Sequence, residues 1–152
     1  MTDQITTQEL VEKFWECVPH VWRHTKTEIR RIAFERYQMS EGQFQVLRRI
    51  RRGCSTVSSL AEVGGTGLPS VSKVVDVLVK RGYVTRMQNP GDRRKVPLAL
   101  TKEGQEVLLE IYTEAESWLA ARFNKLDQDQ KESFIKGLDA MNTSFENSET
   151  AQ

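Results

Sequence analysis

At Gly82 the apolar residues stop recurring at helical spacing and begin to alternate. Upstream, Val71, Val74, Val75 and Leu78 make the stripe of a helix that Pro69 suits at its first turn. Lys80 and Arg81 close that helix and Gly82 ends it, as a helix C-terminus favours. Downstream, Tyr83–Met87 reads as a strand, and Val96, Leu98 and Leu100 alternate as a second one. Gln88–Arg94 between them is a polar loop with a Pro-Gly turn signal. Pro97 cannot donate to a ladder, so its strand must lie at an edge, which a two-stranded hairpin provides. A helix feeding so small a hairpin narrows the folds open to this chain more than any other feature.

The surrounding segments are helical. Residues 7–38 read as one long helix with Leu10, Phe14, Cys17 and Val21 on a face and Pro19 expected to kink or restart it. Ser40 looks like the N-cap of a second helix, with Phe44, Leu47 and Ile50 inward and Arg48, Arg49, Arg51 and Arg52 elsewhere. Thr56 or Ser55 caps a third, over about Val57–Val63, and Gly64–Gly67 is the turn into the Pro69 helix. Thr101 caps a long fifth helix, and Asp127 with Gln130 forms a capping-box pattern before a last one. The expected fold is mainly α with a small β-hairpin: a winged helix-turn-helix over 40–100, flanked by long helices at 7–38 and 101–146. One domain spans 1–152, and 147–152 form a polar tail expected to be disordered. Phe134, Leu138, Met141 and Phe145 on the last helix, with Leu10, Phe14 and Val21 on the first, are more apolar surface than a small domain buries alone; they predict a homodimer.

Charge is segregated. The net charge of +1 hides residues 20–52, with nine Lys or Arg against three acids, and residues 71–102, with eight against two. Local basic surface is what phosphate binding needs, because each neutralised phosphate releases counterions. Enzyme chemistry finds no support: there is no Gly-rich phosphate loop and no serine nucleophile elbow. His20 and His24 stand four apart but lack the intervening Glu of a zinc helix, so neither a metal nor another cofactor is expected. No apolar run is long enough to span a membrane and the N-terminus lacks the order of a signal peptide, so the expected location is cytoplasmic.

In a helix-turn-helix the second helix enters the major groove. Opposite the stripe of the Pro69 helix lie Pro69, Lys73, Asp76, Val77 and Lys80, with Ser70 and Ser72 at its borders. Serine hydroxyls and a lysine near the helix N-terminus suit base edges or phosphates. The hairpin tip carries Asp92, Arg93 and Arg94. Arginine in a narrow A·T-rich minor groove is favoured by the potential there, and Asp92 is placed to orient Arg94.

Residues 56–104 resemble the core of the MarR family of multiple-antibiotic-resistance regulators, through Ser59–Glu62, Ser70–Gly82, Asp92–Arg94 and Leu100–Gly104. The resemblance implies a triangular homodimer, joined through its first and last helices, that reads a palindromic operator on double-stranded DNA and senses a small molecule or an oxidant. It places Ser70, Ser72 and Lys73 in the base-facing stretch and Asp92 and Arg94 in the wing pair. Gly64 stands where the family usually has Leu, Gly67 where it has a Ser cap, and Val77 where Arg is common. The function read from all this is a DNA-binding repressor released by a small aromatic ligand, for which Trp22, Arg23, Phe44 and Trp118 are the candidate contacts, with Phe34 beside them. Two alternatives stand: oxidant sensing through Cys17, against which its place on the apolar stripe argues for a buried structural thiol, and a winged-helix module that binds protein.

Overall fold

The computed structural model describes residues 5–87 and 96–149, with side chains described through Glu146. Its elements run α1 (Thr7–Tyr37), α2 (Glu41–Arg51), α3 (Val57–Gly64), α4 (Leu68–Lys80), β1 (Val84–Arg86), β2 (Leu98–Leu100), α5 (Lys102–Phe123) and α6 (Gln128–Glu149). Helix starts follow local chemistry. Thr6, Ser40 and Thr56 each accept a hydrogen bond from the backbone three residues on, and their own backbone N–H groups donate in return to the side chains of Glu9, Gln43 and Ser59. Asp127 and Gln130 exchange the same pair of bonds before α6.

Pro19 lies inside α1 without dividing it, so of the expected kink or restart the restart does not occur. A new start costs a new helix nucleus, whereas a 31-residue helix carries one missing donor. The helix ends where Gln38 turns left-handed, at φ 49°. At the other end of the chain, α6 includes residues 147–149, which the sequence assigned to a tail.

The chain forms two compact units, Met1–Ala115 and Glu116–Gln152. The core of the first joins Ile32 and Ala33 of α1, Phe44, Leu47 and Ile50 of α2, Leu60 of α3, Val71, Val75 and Leu78 of α4, Val84 and Leu98 of the hairpin, and Val107, Leu108 and Ile111 of α5. On α1 only Ile32 and Ala33 are buried. In the second unit the Phe123 and Phe134 rings meet at a tilt with their centres 5.6 Å apart, while Phe134, Ile135, Leu138 and Phe145 stay exposed.

β1 and β2 pair antiparallel, Val84 opposite Leu100 and Arg86 opposite Leu98. The ladder continues one step, Met87 N–H donating to the Pro97 carbonyl at 2.8 Å. Leu98 N–H donates to the Ser55 carbonyl at 2.7 Å, which ties the hairpin to the loop before α3. Thr101 joins hairpin to helices. Its hydroxyl donates to the Gly82 carbonyl at 2.6 Å and accepts from Gly104 N–H at 3.0 Å. Position 104 must be glycine, because a Cβ there would lie 2.1 Å from the Tyr83 carbonyl oxygen.

Candidate nucleic-acid interface

Val71, Val75 and Leu78 turn α4 inward, and this fixes what it shows to solvent. Pro69, Ser70, Lys73, Asp76, Val77 and Lys80 are exposed and Ser72 is half-buried, as the complement of the stripe requires. The helix start is bare. Gly67 is the N-cap and offers no side-chain bond; Pro69 has no N–H to satisfy, and the Ser70 N–H donates to the Gly67 carbonyl at 3.1 Å.

The turn before α4 is shaped by Gly64. A Cβ there would lie 2.5 Å from Nη1 of Arg49, so the guanidinium of α2 occupies the space over the end of α3 that a larger residue would take. An arginine at a helix C-terminus also meets the negative end of the helix dipole. Arg81, at the other end of α4, reaches the end of α1. It donates to the Tyr37 carbonyl and, at 3.4 Å, to that of Gln38, with its guanidinium 4.9 Å from the centre of the Tyr83 ring. The Tyr37 hydroxyl in turn donates to Glu110 of α5. Burial and the adjacent Glu110 carboxylate push the Tyr37 phenol up to about 12.

Asp76 on the outward face of α4 pairs with Arg86 of β1 at 2.6 Å. Sequence reading missed this pair, as it missed the contacts of Arg49 and Arg81, because each partner lies on a different element and no periodicity links them. Asp92, Arg93 and Arg94 lie outside the described residues.

The four candidate ligand contacts have other neighbours. Phe44 is core, 6.1 Å from the Tyr112 ring. Trp22 is exposed with Lys26 above it at 5.0 Å, and Arg23 lies 3.4 Å from Nδ1 of His20. Trp118, in the second unit, is covered by Arg122 at 3.4 Å. A groove of about 610 Å³ lies elsewhere, lined by Ile50, Arg51, Ser55, Leu98, Leu100 and Leu109 among others.

Cys17 is exposed, which corrects the expectation of a buried thiol. From Thr7 to His24 every residue of α1 but the half-buried Phe14 is exposed. The same stretch bears a second exposed stripe, Val11, Trp15, Val18 and Trp22, that the sequence reading did not single out. The His20 and His24 rings are 4.5 Å apart, and among the described residues no group of three or more His, Cys, Asp or Glu is placed to hold a metal. Among the described residues no helix is long and apolar enough to cross a membrane.

With that geometry in place, the comparisons with known proteins agree with one another. The sequence pattern of the MarR family matches residues 39–96. The uncharacterised HTH-type transcriptional regulator YdcH of Bacillus subtilis strain 168 is 30% identical over 125 residues, 78% of this chain and 84% of that protein. Transcriptional regulator Tm0710 of Thermotoga maritima has the same fold, with a TM-score of 0.83 at 22% identity over 93% of this chain and 99% of that one. A mutant of MepR from S. aureus, solved bound to an oligodeoxyribonucleotide, superposes with a TM-score of 0.67 at 16% identity over 93% of this chain and 99% of that one.

Proposed function

The chain belongs to the MarR family of DNA-binding transcription regulators, and from that premise we propose that it is a homodimeric repressor that reads a palindromic operator. It is a regulator and not an enzyme. The observation that carries the proposal is the outward face of α4: Pro69, Ser70 and Lys73 stand exposed at the N-terminal end of a helix whose other face is locked into the core. A helix end of that kind suits the major groove, and the hairpin beside it suits the flanking minor groove, with Arg94 as the inserted side chain and Asp92 orienting it.

The dimer has its own support. Leu10, Trp15, Val21 and Trp22 on α1, and Ile135, Leu138 and Phe145 on α6, are exposed in the single chain. Apolar faces of that extent mark interfaces. A second copy related by a two-fold axis covers both, and sets the reading helices one DNA turn apart.

Release follows from the same arrangement. An aromatic acid that favours a dimer with the wrong spacing of reading helices lowers operator affinity, with a coupling of about 1–3 kcal/mol. Arg23 and Trp22, both exposed on α1, are the proposed partners for its carboxylate and its ring. One observation favours a second trigger: the Cys17 thiol has the solvent access that oxidant sensing needs. Peroxide that releases the wild-type protein but not Cys17→Ser from DNA supports that trigger; equal release of both removes it.

The test of the main reading is selection of bound duplexes from randomised DNA, followed by footprinting. A protected near-palindrome with half-sites about 10 bp apart supports it. A single protected half-site, or no enrichment, overturns it.

A further inference from the structure

The outward face of α4 carries an acid, Asp76, where a DNA-reading surface should be basic. It stands between Lys73, one turn before, and Lys80, one turn after. A bare carboxylate there repels phosphate. Yet the partner that Asp76 takes is neither lysine of its own helix. It is Arg86 of β1, whose Nη2 donates to the carboxylate at 2.6 Å. Among the described residues, neither Lys73 nor Lys80 has a carboxylate within ion-pair distance.

The pair does little for folding. Its side chains are 41% and 58% exposed, and exposed pairs of this kind add little to stability. What the contact does is hold a long side chain in one place. Arg86 stands opposite Leu98, at the end of the paired strands from which the hairpin extends. Its guanidinium therefore lies between the helix that faces the major groove and the hairpin that faces the flanking one. A guanidinium has five N–H donors, and among the described residues the Arg86 side chain donates only to Asp76. The fork geometry suits a phosphate, and an arginine already fixed loses less freedom on binding one.

We propose that Arg86 is a DNA-contact residue, meeting a phosphate at the ridge between the two grooves, and that Asp76 is its positioning residue. This rests on the reading of α4 as the DNA-facing helix. It accounts for an acid on that face: Asp76 acts through the cation it holds and not through its own charge.

The test compares wild type with Arg86→Ala, Asp76→Asn and Asp76→Glu on the wild-type selected duplex, over a range of salt. Arg86→Ala removes one phosphate contact from each subunit, so it weakens binding about tenfold per subunit and lowers the salt slope of the two-chain complex by about 1.8. Asp76→Asn separates the mechanisms by sign. If the carboxylate acted only by charge, its removal would tighten binding; as a positioning residue, its removal weakens binding severalfold, and Asp76→Glu recovers most of the loss. Melting temperatures stay near wild type throughout, since the pair is exposed. An Arg86→Ala protein with wild-type affinity and slope removes Arg86 from the interface, and an Asp76→Asn protein that binds more tightly removes the positioning role. A wild type that binds no duplex in a salt-dependent way fails at the earlier step, overturning the DNA-reading proposal and this inference together.

Discussion

Lys73 and Arg94 are both cations, yet their expected contributions to DNA binding differ in kind. Lys73 faces outward near the start of α4, where the proposed major-groove docking brings base edges into reach. Lys73→Ala is expected to relax specificity within a half-site by about 1–3 kcal/mol, read as a smaller ratio of affinities for selected and scrambled duplexes. Arg94→Ala is expected to weaken both duplexes alike and to flatten the salt dependence. Equal losses on the selected duplex alone for both variants would contradict that division. Tyr37 allows a prediction on pH. Burial and the Glu110 carboxylate push its folded-state phenol from its ordinary 10 up to about 12, so the neutral form is the one the fold favours. The stabilisation is complete below pH 10 and disappears as pH rises from 10 through 12. Tyr37→Phe should be less sensitive to alkaline unfolding over that window, and identical alkaline melting curves would show that the hydroxyl is not the titrating group. The outward residues of α4 were legible in sequence because they are the complement of an apolar stripe. Asp76 with Arg86 was not, since a contact between elements has no period. Cys17 was misread for a related reason: a stripe shows that a face avoids water without showing whether its own chain covers it.

Caps and turns were the most legible elements. Ser40, Thr56, Thr101 and the Asp127–Gln130 pair all make the bonds that their sequence contexts imply. Helix interruption was less so, because Pro19 reports a lost bond while the length of α1 decides whether the helix continues. The hairpin is placed by its junctions more than by its own short ladder. Thr101 holds its end to Gly82, Leu98 ties it to Ser55, and Gly104 lets α5 approach Tyr83. Gly104→Ala forces a methyl group against the Tyr83 carbonyl, which is backbone and cannot rotate away. We expect a loss of about 1–3 kcal/mol, seen as a lower urea midpoint, with DNA affinity falling as the hairpin shifts. An unchanged midpoint would mean that α5 moves away from the hairpin at little cost.

At the scale of the whole molecule, the sequence carried the architecture of the first unit almost entirely, because periodicity, caps and turns agree there. It also carried the apolar residues on α1 and α6 that the single chain leaves in solvent, on which the proposed dimer rests. The extent of that surface on α1 was underread: Trp15 and Trp22 form a stripe adjacent to the one singled out. Charged substitutions on the two faces should therefore act on assembly first. Leu138→Glu or Trp15→Glu is expected to shift the protein toward monomer in light scattering at micromolar concentration and to lose operator binding with it. A monomeric variant that kept full operator affinity would separate assembly from reading. The most direct test of a two-fold, groove-reading regulator is the stoichiometry of its complex with the selected duplex. Analytical ultracentrifugation should give two chains per duplex with no populated one-chain complex, and affinity should fall steeply as salt rises. A stable complex of one chain with one duplex, indifferent to salt, would contradict it.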